Sequence, residues 1–108
     1  MNLENLVKFL LTPEQLGELF NEMNVDLESE ALLIYMKDFL SLKSEIAIFP
    51  IEETEDDIQF KKDDIDYYQL FPVETAIELI EADLDLKDKG YSDLDIAKRL
   101  LDYRFNDA

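Results

Sequence analysis

The chain has no cysteine and no histidine, and only two glycines and three prolines in 108 residues. Without cysteine there are no disulfide staples and no thiolate metal sites. Without histidine as well, Ser-His-Asp and Cys-His catalytic sites, the usual zinc sites and haem attachment are all excluded, which leaves carboxylates, lysine and tyrosine as the groups for any chemistry. Gly17 and Gly90 stand far apart, so no glycine-rich loop cradles a phosphate. No stretch approaches the roughly 18 apolar residues of a membrane span, and an acidic surface is repelled by anionic headgroups. The opening MNLENLVKFLL carries Glu4 and Lys8 and lacks both a basic leader and a small-residue cleavage site, so no signal peptide is expected. These absences together predict a cytoplasmic protein with no membrane partner, no cofactor and no metal.

Positive charge is scarce too: ten Lys plus Arg face 27 Asp plus Glu, a formal net charge of −17. Yet 47% of the residues are hydrophobic, far too many for an acidic disordered tail, and no linker divides the chain. A single folded domain over residues 1–108 is expected. An acidic surface is also a halophile's adaptation, but the low Ala and Gly content does not follow that pattern.

The amino-terminal part reads as helical. Thr12, Pro13 and Gln15 have the spacing of an N-cap, N1 and a capping-box residue, with Leu11 and Leu16 placed as a hydrophobic staple. Leu16, Leu19, Phe20 and Met23 follow at helical spacing, with Glu14, Glu18 and Glu22 on another face. From Asp26 as a cap, the run Ala31 to Phe39 is apolar nearly all round and predicts a central core helix. Between residues 45 and 71 the period shortens to two, with Ile46 and Ile48, Ile58 and Phe60, then Ile65 and Tyr67 alternating as in strands. Pro50 confines its strand to an edge or ends it. Residues 64–69 also read as a helical turn capped by Asp66. Helix resumes after Pro72 with Val73, Ile77, Ile80 and Leu84 on one face, and runs to Gly90 at the C′ position. A last helix is capped by Ser92, stapled by Tyr91 and Ile96, and lined by Leu94, Ala97, Leu101 and Phe105. The expected fold is α+β and mostly helical, with four or five helices packed around a short antiparallel hairpin or meander. No internal repeat is found.

The acidic excess is patterned. Residues 45–66 hold nine acids against two lysines, and residues 74–95 hold eight against two. Glu74, Glu78, Glu81, Asp85 and Asp88 recur at steps of four and three, which on one helix makes a carboxylate ridge roughly 20 Å long. Like charges at this spacing each cost about 0.2–0.5 kcal/mol, so an unneutralised ridge suggests a basic partner. A merely solvated acidic face is the plainer reading. Rows of carboxylates can stand in for a phosphate backbone before a nucleic-acid-binding protein or nuclease, and opposite charge steers capture of a toxin enzyme.

The segment DDIDYYQLF adds Tyr67, Tyr68 and Phe71 beside Asp63, Asp64 and Asp66, the mixture of aromatic anchors and charge found in interface hot spots. It resembles the acid-flanked paired tyrosines of colicin-nuclease immunity proteins, and that resemblance implies a small protein that neutralises a nuclease. Packing of these aromatics into the core is the alternative.

Three other patterns fail. An EF-hand loop within Asp83–Asp95 places Asp88 where glycine is required, or Lys87 and Lys89 at ligand positions. Asp57, Gln59 and Lys61 echo a nuclease carboxylate-and-lysine set, but a surface this acidic repels nucleic acid. GYSDLDIAKRLL resembles the first helix of a helix-turn-helix reader, yet only seven residues follow Leu101. The expectation is therefore a non-enzymatic binding protein that occludes a basic protein partner, a toxin, nuclease or nucleic-acid-binding protein, with no direct contact to nucleic acid. Glu74, Glu78, Glu81, Asp85, Asp88, Asp56, Asp57, Asp63, Asp64 and Asp66 would face the basic cleft, and Tyr67 and Tyr68 would anchor it. The alternative is a structural or adaptor subunit, or a homodimer, whose charge only keeps it soluble.

Overall fold

A computed structural model describes residues 1–25, 28–87 and 89–106. In chain order its elements are α1 (Leu3–Leu11), α2 (Leu16–Glu22), β1 (Leu32–Lys37), β2 (Ile46–Pro50), α3 (Ile51–Thr54), β3 (Gln59–Lys62), β4 (Ile65–Pro72), α4 (Val73–Glu78) and α5 (Asp93–Asn106). The four strands form one antiparallel sheet in the order β2-β1-β4-β3. The fold is α+β as expected. The expectation of a mostly helical protein built around a hairpin is corrected: a four-stranded sheet is its centre, and the segment read as the central helix holds β1, one of its two inner strands.

The reason lies in β1. Leu33, Ile34, Tyr35 and Met36 are all fully buried, because both faces of the sheet are covered there. A strand buried on both faces loses the polar half of its alternation, and its apolar run then looks like a buried helix. Ile34 and Met36 face the main core with α1, α2, α4 and α5, while Leu33 and Tyr35 face a second cluster with Phe49, Ile51, Phe60 and Tyr67. The expected cap at Asp26 lies outside the described residues.

Local signals fare unevenly. Asn2 and Asn5 form a reciprocal capping box at the start of α1, each side chain accepting the other's backbone N–H at 3.0 Å. Thr12 makes no such box: its hydroxyl donates to the Lys8 carbonyl at 3.0 Å, and a single 3₁₀ turn, Pro13–Gln15, precedes α2. Ser92 caps α5 as expected, accepting from the Asp95 N–H at 3.1 Å. The buried face of α5 is Ile96, Ala97 and Leu100, whereas Leu94 and Phe105 are exposed and Tyr91 lies beneath the Arg99 guanidinium at 4.4 Å.

Pro50 ends an edge strand, and the same short motif occurs twice. Phe49-Pro50-Ile51-Glu52 closes β2 and opens α3; Phe71-Pro72-Val73-Glu74 closes β4 and opens α4. The two prolines adopt nearly the same backbone, φ −69 and ψ 146 against φ −61 and ψ 151. The motifs nevertheless go to opposite faces, because the register between β1 and β4 shifts at Ile34/Tyr35, leaving Leu70 as one extra residue. Without it Phe71 would pair with Leu33 and join the second cluster. With it Phe71 pairs with Ile34 and enters the main core. Arg104 on α5 donates through Nε to the Gln69 carbonyl beside this bulge at 3.1 Å.

Candidate functional site

From α3 through the β3–β4 hairpin the chain carries eight acids and two lysines between residues 52 and 66. Several of these acids occupy backbone positions that usually call for glycine. Glu55 and Asp56 have φ of 55° and 62° after α3, and Asp63 and Asp64 have φ of 53° and 65° in the two-residue turn joining Lys62 to Ile65. Such a turn needs positive φ at both central residues, as in type I′, and Asp tolerates it better than most side chains do. In a chain with two glycines, aspartate takes these turns.

The loop is strapped onto the second face of the sheet. The Tyr35 hydroxyl, on a fully buried ring, donates to the Asp57 carbonyl at 2.6 Å, and the Gln69 amide donates to Asp56 Oδ1 at 2.9 Å and to Tyr35 Oη at 3.2 Å. Glu53 and Lys62 pair at 2.7 Å, which raises the Lys62 pKa above its ordinary value. Lys62 Nζ also lies 5.4 Å from the centre of the Phe49 ring. The Glu52 carboxylate accepts from the Ser29 hydroxyl and, at 3.1 Å, from the Glu30 N–H; these bonds, Ser29's first, hold its pKa below the usual glutamate range.

Asp56, Asp57, Asp63 and Asp64 are exposed along this edge, and Asp66 is half-buried and accepts from Gln59 Nε2 at 3.3 Å. The second expected group lies elsewhere. Glu74, Glu78 and Glu81 are exposed on α4 and the π turn Leu79–Asp83 that continues it, but the helix stops there rather than at Gly90. Leu86 folds back into the core, its N–H donating to the Ile80 carbonyl at 2.8 Å, and Asp85 has φ 49°. Lys87 pairs with Glu81 at 3.5 Å and Lys89 with Asp85 at 3.2 Å, so the ridge is shorter than expected and partly neutralised. Asp88 lies outside the described residues. Since α4 packs on the main core and α3 on the second cluster, the sheet separates the two acidic groups.

The two tyrosines are parted as well. Successive strand residues point to opposite faces, so Tyr67 packs against Phe49 at 5.0 Å between ring centres while Tyr68, in register with Met36, shares the helix-covered face. Sequence reasoning missed Ile58. Its alternation with Phe60 predicts that both face inward, but β3 begins at Gln59; Phe60 joins the cluster and Ile58 stays 66% exposed, immediately after Asp56 and Asp57. An apolar residue abutting an acid run was the available signal.

No family model, curated protein or solved structure matches the chain. Among the described residues no group of three or more carboxylates is arranged to hold a metal ion, and no helix is long and apolar enough to cross a membrane.

Proposed function

We propose that the chain is a non-enzymatic binding protein that occludes a basic protein partner, a toxin, nuclease or nucleic-acid-binding protein, through the edge formed by α3 and the β3–β4 hairpin. The observation that carries this reading is the exposed Ile58 beside Asp56 and Asp57 at one end of β3, with Asp63 and Asp64 exposed at the other end of the same edge. Carboxylates at the rim steer a basic surface into contact, and an apolar residue that loses its water on docking supplies affinity. Glu74, Glu78 and Glu81 add to the long-range field from the other side of the sheet. An adaptor reading draws on exposed Phe39 and Phe105 and predicts association that ignores salt.

The two are separated by capturing partners with the wild type and with an Asp56→Lys, Asp57→Lys, Asp63→Lys variant, at about 0.05 M and about 0.5 M salt. Occlusion by charge predicts a basic partner retained by the wild type at low salt only and lost by the variant. A partner of ordinary charge, held equally by both proteins at both salts, overturns it.

A further inference from the structure

The sheet has two edges, and they differ. On β2 the Ile46 N–H is already taken by the Met1 carbonyl at 2.8 Å, and Pro50 has no N–H to offer. On β3 the Gln69 N–H donates to the Ile58 carbonyl at 2.8 Å, which fixes the antiparallel alternation: Ile58, Phe60 and Lys62 turn their backbone groups towards β4, and Gln59 and Lys61 turn theirs outward. Among the described residues no backbone bond covers Gln59 or Lys61 on that side. Lys62 is held by Glu53, while Lys61 makes no ion pair among the described residues, so the strand carries one unpaired cation within a stretch, residues 52–66, that holds eight acids and two lysines. Asp57 at one end and Asp63 at the other bracket about 20 Å of extended chain.

Resting on the function proposed above, we infer that β3 is a strand-addition site, and that its occupant is an extended basic segment of the partner, which pairs with the Gln59 and Lys61 backbone as a fifth strand. Charge complementarity selects that occupant. A second copy of this chain would bring an equally acidic edge against this one, and like charges placed opposite are unfavourable. Main-chain bonds supply affinity in such an arrangement, and the flanking carboxylates supply preference for Lys and Arg.

The test uses a synthetic peptide of about ten residues alternating lysine and valine, a glutamate–valine control, and a lysine–valine peptide N-methylated at alternate valines. Strand addition predicts that the first peptide slows amide exchange at Gln59 and Lys61, and that N-methylation, which keeps every charge, weakens binding about tenfold or more. Lys61→Pro, which removes an outward N–H that the ladder does not use, predicts a similar loss. Salt-sensitive binding of both lysine peptides with equal affinity and no protection at β3 overturns strand addition and leaves the acidic contact standing. Protection of the same two amides that grows with protein concentration alone makes a second copy the occupant and overturns the basic segment. If neither lysine peptide binds at low salt, strand addition fails, and the salt-dependent capture above decides whether the acidic contact fails with it.

Discussion

At the scale of single residues, part of the acidic excess has a conformational cause. Asp38, Glu55, Asp56, Asp63, Asp64 and Asp85 all have positive φ, a region that costs an ordinary L-residue roughly 1–2 kcal/mol and that Asp and Asn enter more readily. These positions need a backbone shape first and a charge second. Asp64→Val is expected to cost about 1–2 kcal/mol in urea denaturation, and Asp64→Gly to be neutral or stabilising. Equal destabilisation by both would mean that the carboxylate matters and the backbone does not. Of the residue-scale signals, the Ser92 cap was legible because an N-cap is a local pattern completed within four residues. Thr12 misled because its hydroxyl had a nearer acceptor in the preceding turn, the Lys8 carbonyl.

At the scale of elements, the short helix α3 and the loop after it are attached to the sheet by the buried Tyr35 hydroxyl and the Gln69 amide. Tyr35→Phe keeps the ring packed against Phe49 but removes the donor to the Asp57 carbonyl. It is expected to destabilise by about 1–2 kcal/mol, with amide exchange accelerating at residues 55–58 before the core strands. Uniform acceleration throughout the protein would contradict a local strap. The same scale explains the misreading of β1. Leu33 to Met36 are apolar on both sides because one side meets four helices and the other meets Phe49, Phe60 and Tyr67, none of which is near in sequence to β1. The twin Phe-Pro motifs were equally visible in the sequence, but their dispatch to opposite faces depends on one bulged residue, Leu70, whose extra place is set by pairing with β1.

At the scale of the whole molecule, a net charge of −17 sits on a body of 39 × 28 × 21 Å, where unpaired carboxylates lie within a Debye length of one another at ordinary ionic strength. Among the described residues three ion pairs, Lys62–Glu53, Lys87–Glu81 and Lys89–Asp85, offset little of it. Added salt up to about 0.5 M is therefore expected to raise the thermal midpoint by screening self-repulsion; a midpoint that falls would contradict a charge-limited fold. The sequence by itself determined the charge, the α+β class, the edge or end of a strand at Pro50 and the start of α4 after Pro72, because these follow from composition and from contacts within a few residues. Only the tertiary structure decided which face each carboxylate occupies: the sheet parts Glu74, Glu78 and Glu81 from the α3–β3–β4 edge, alternation parts Tyr67 from Tyr68, and Ile58 is left outside just before β3 begins. Such outcomes depend on strand register, and register is set by partners far along the chain.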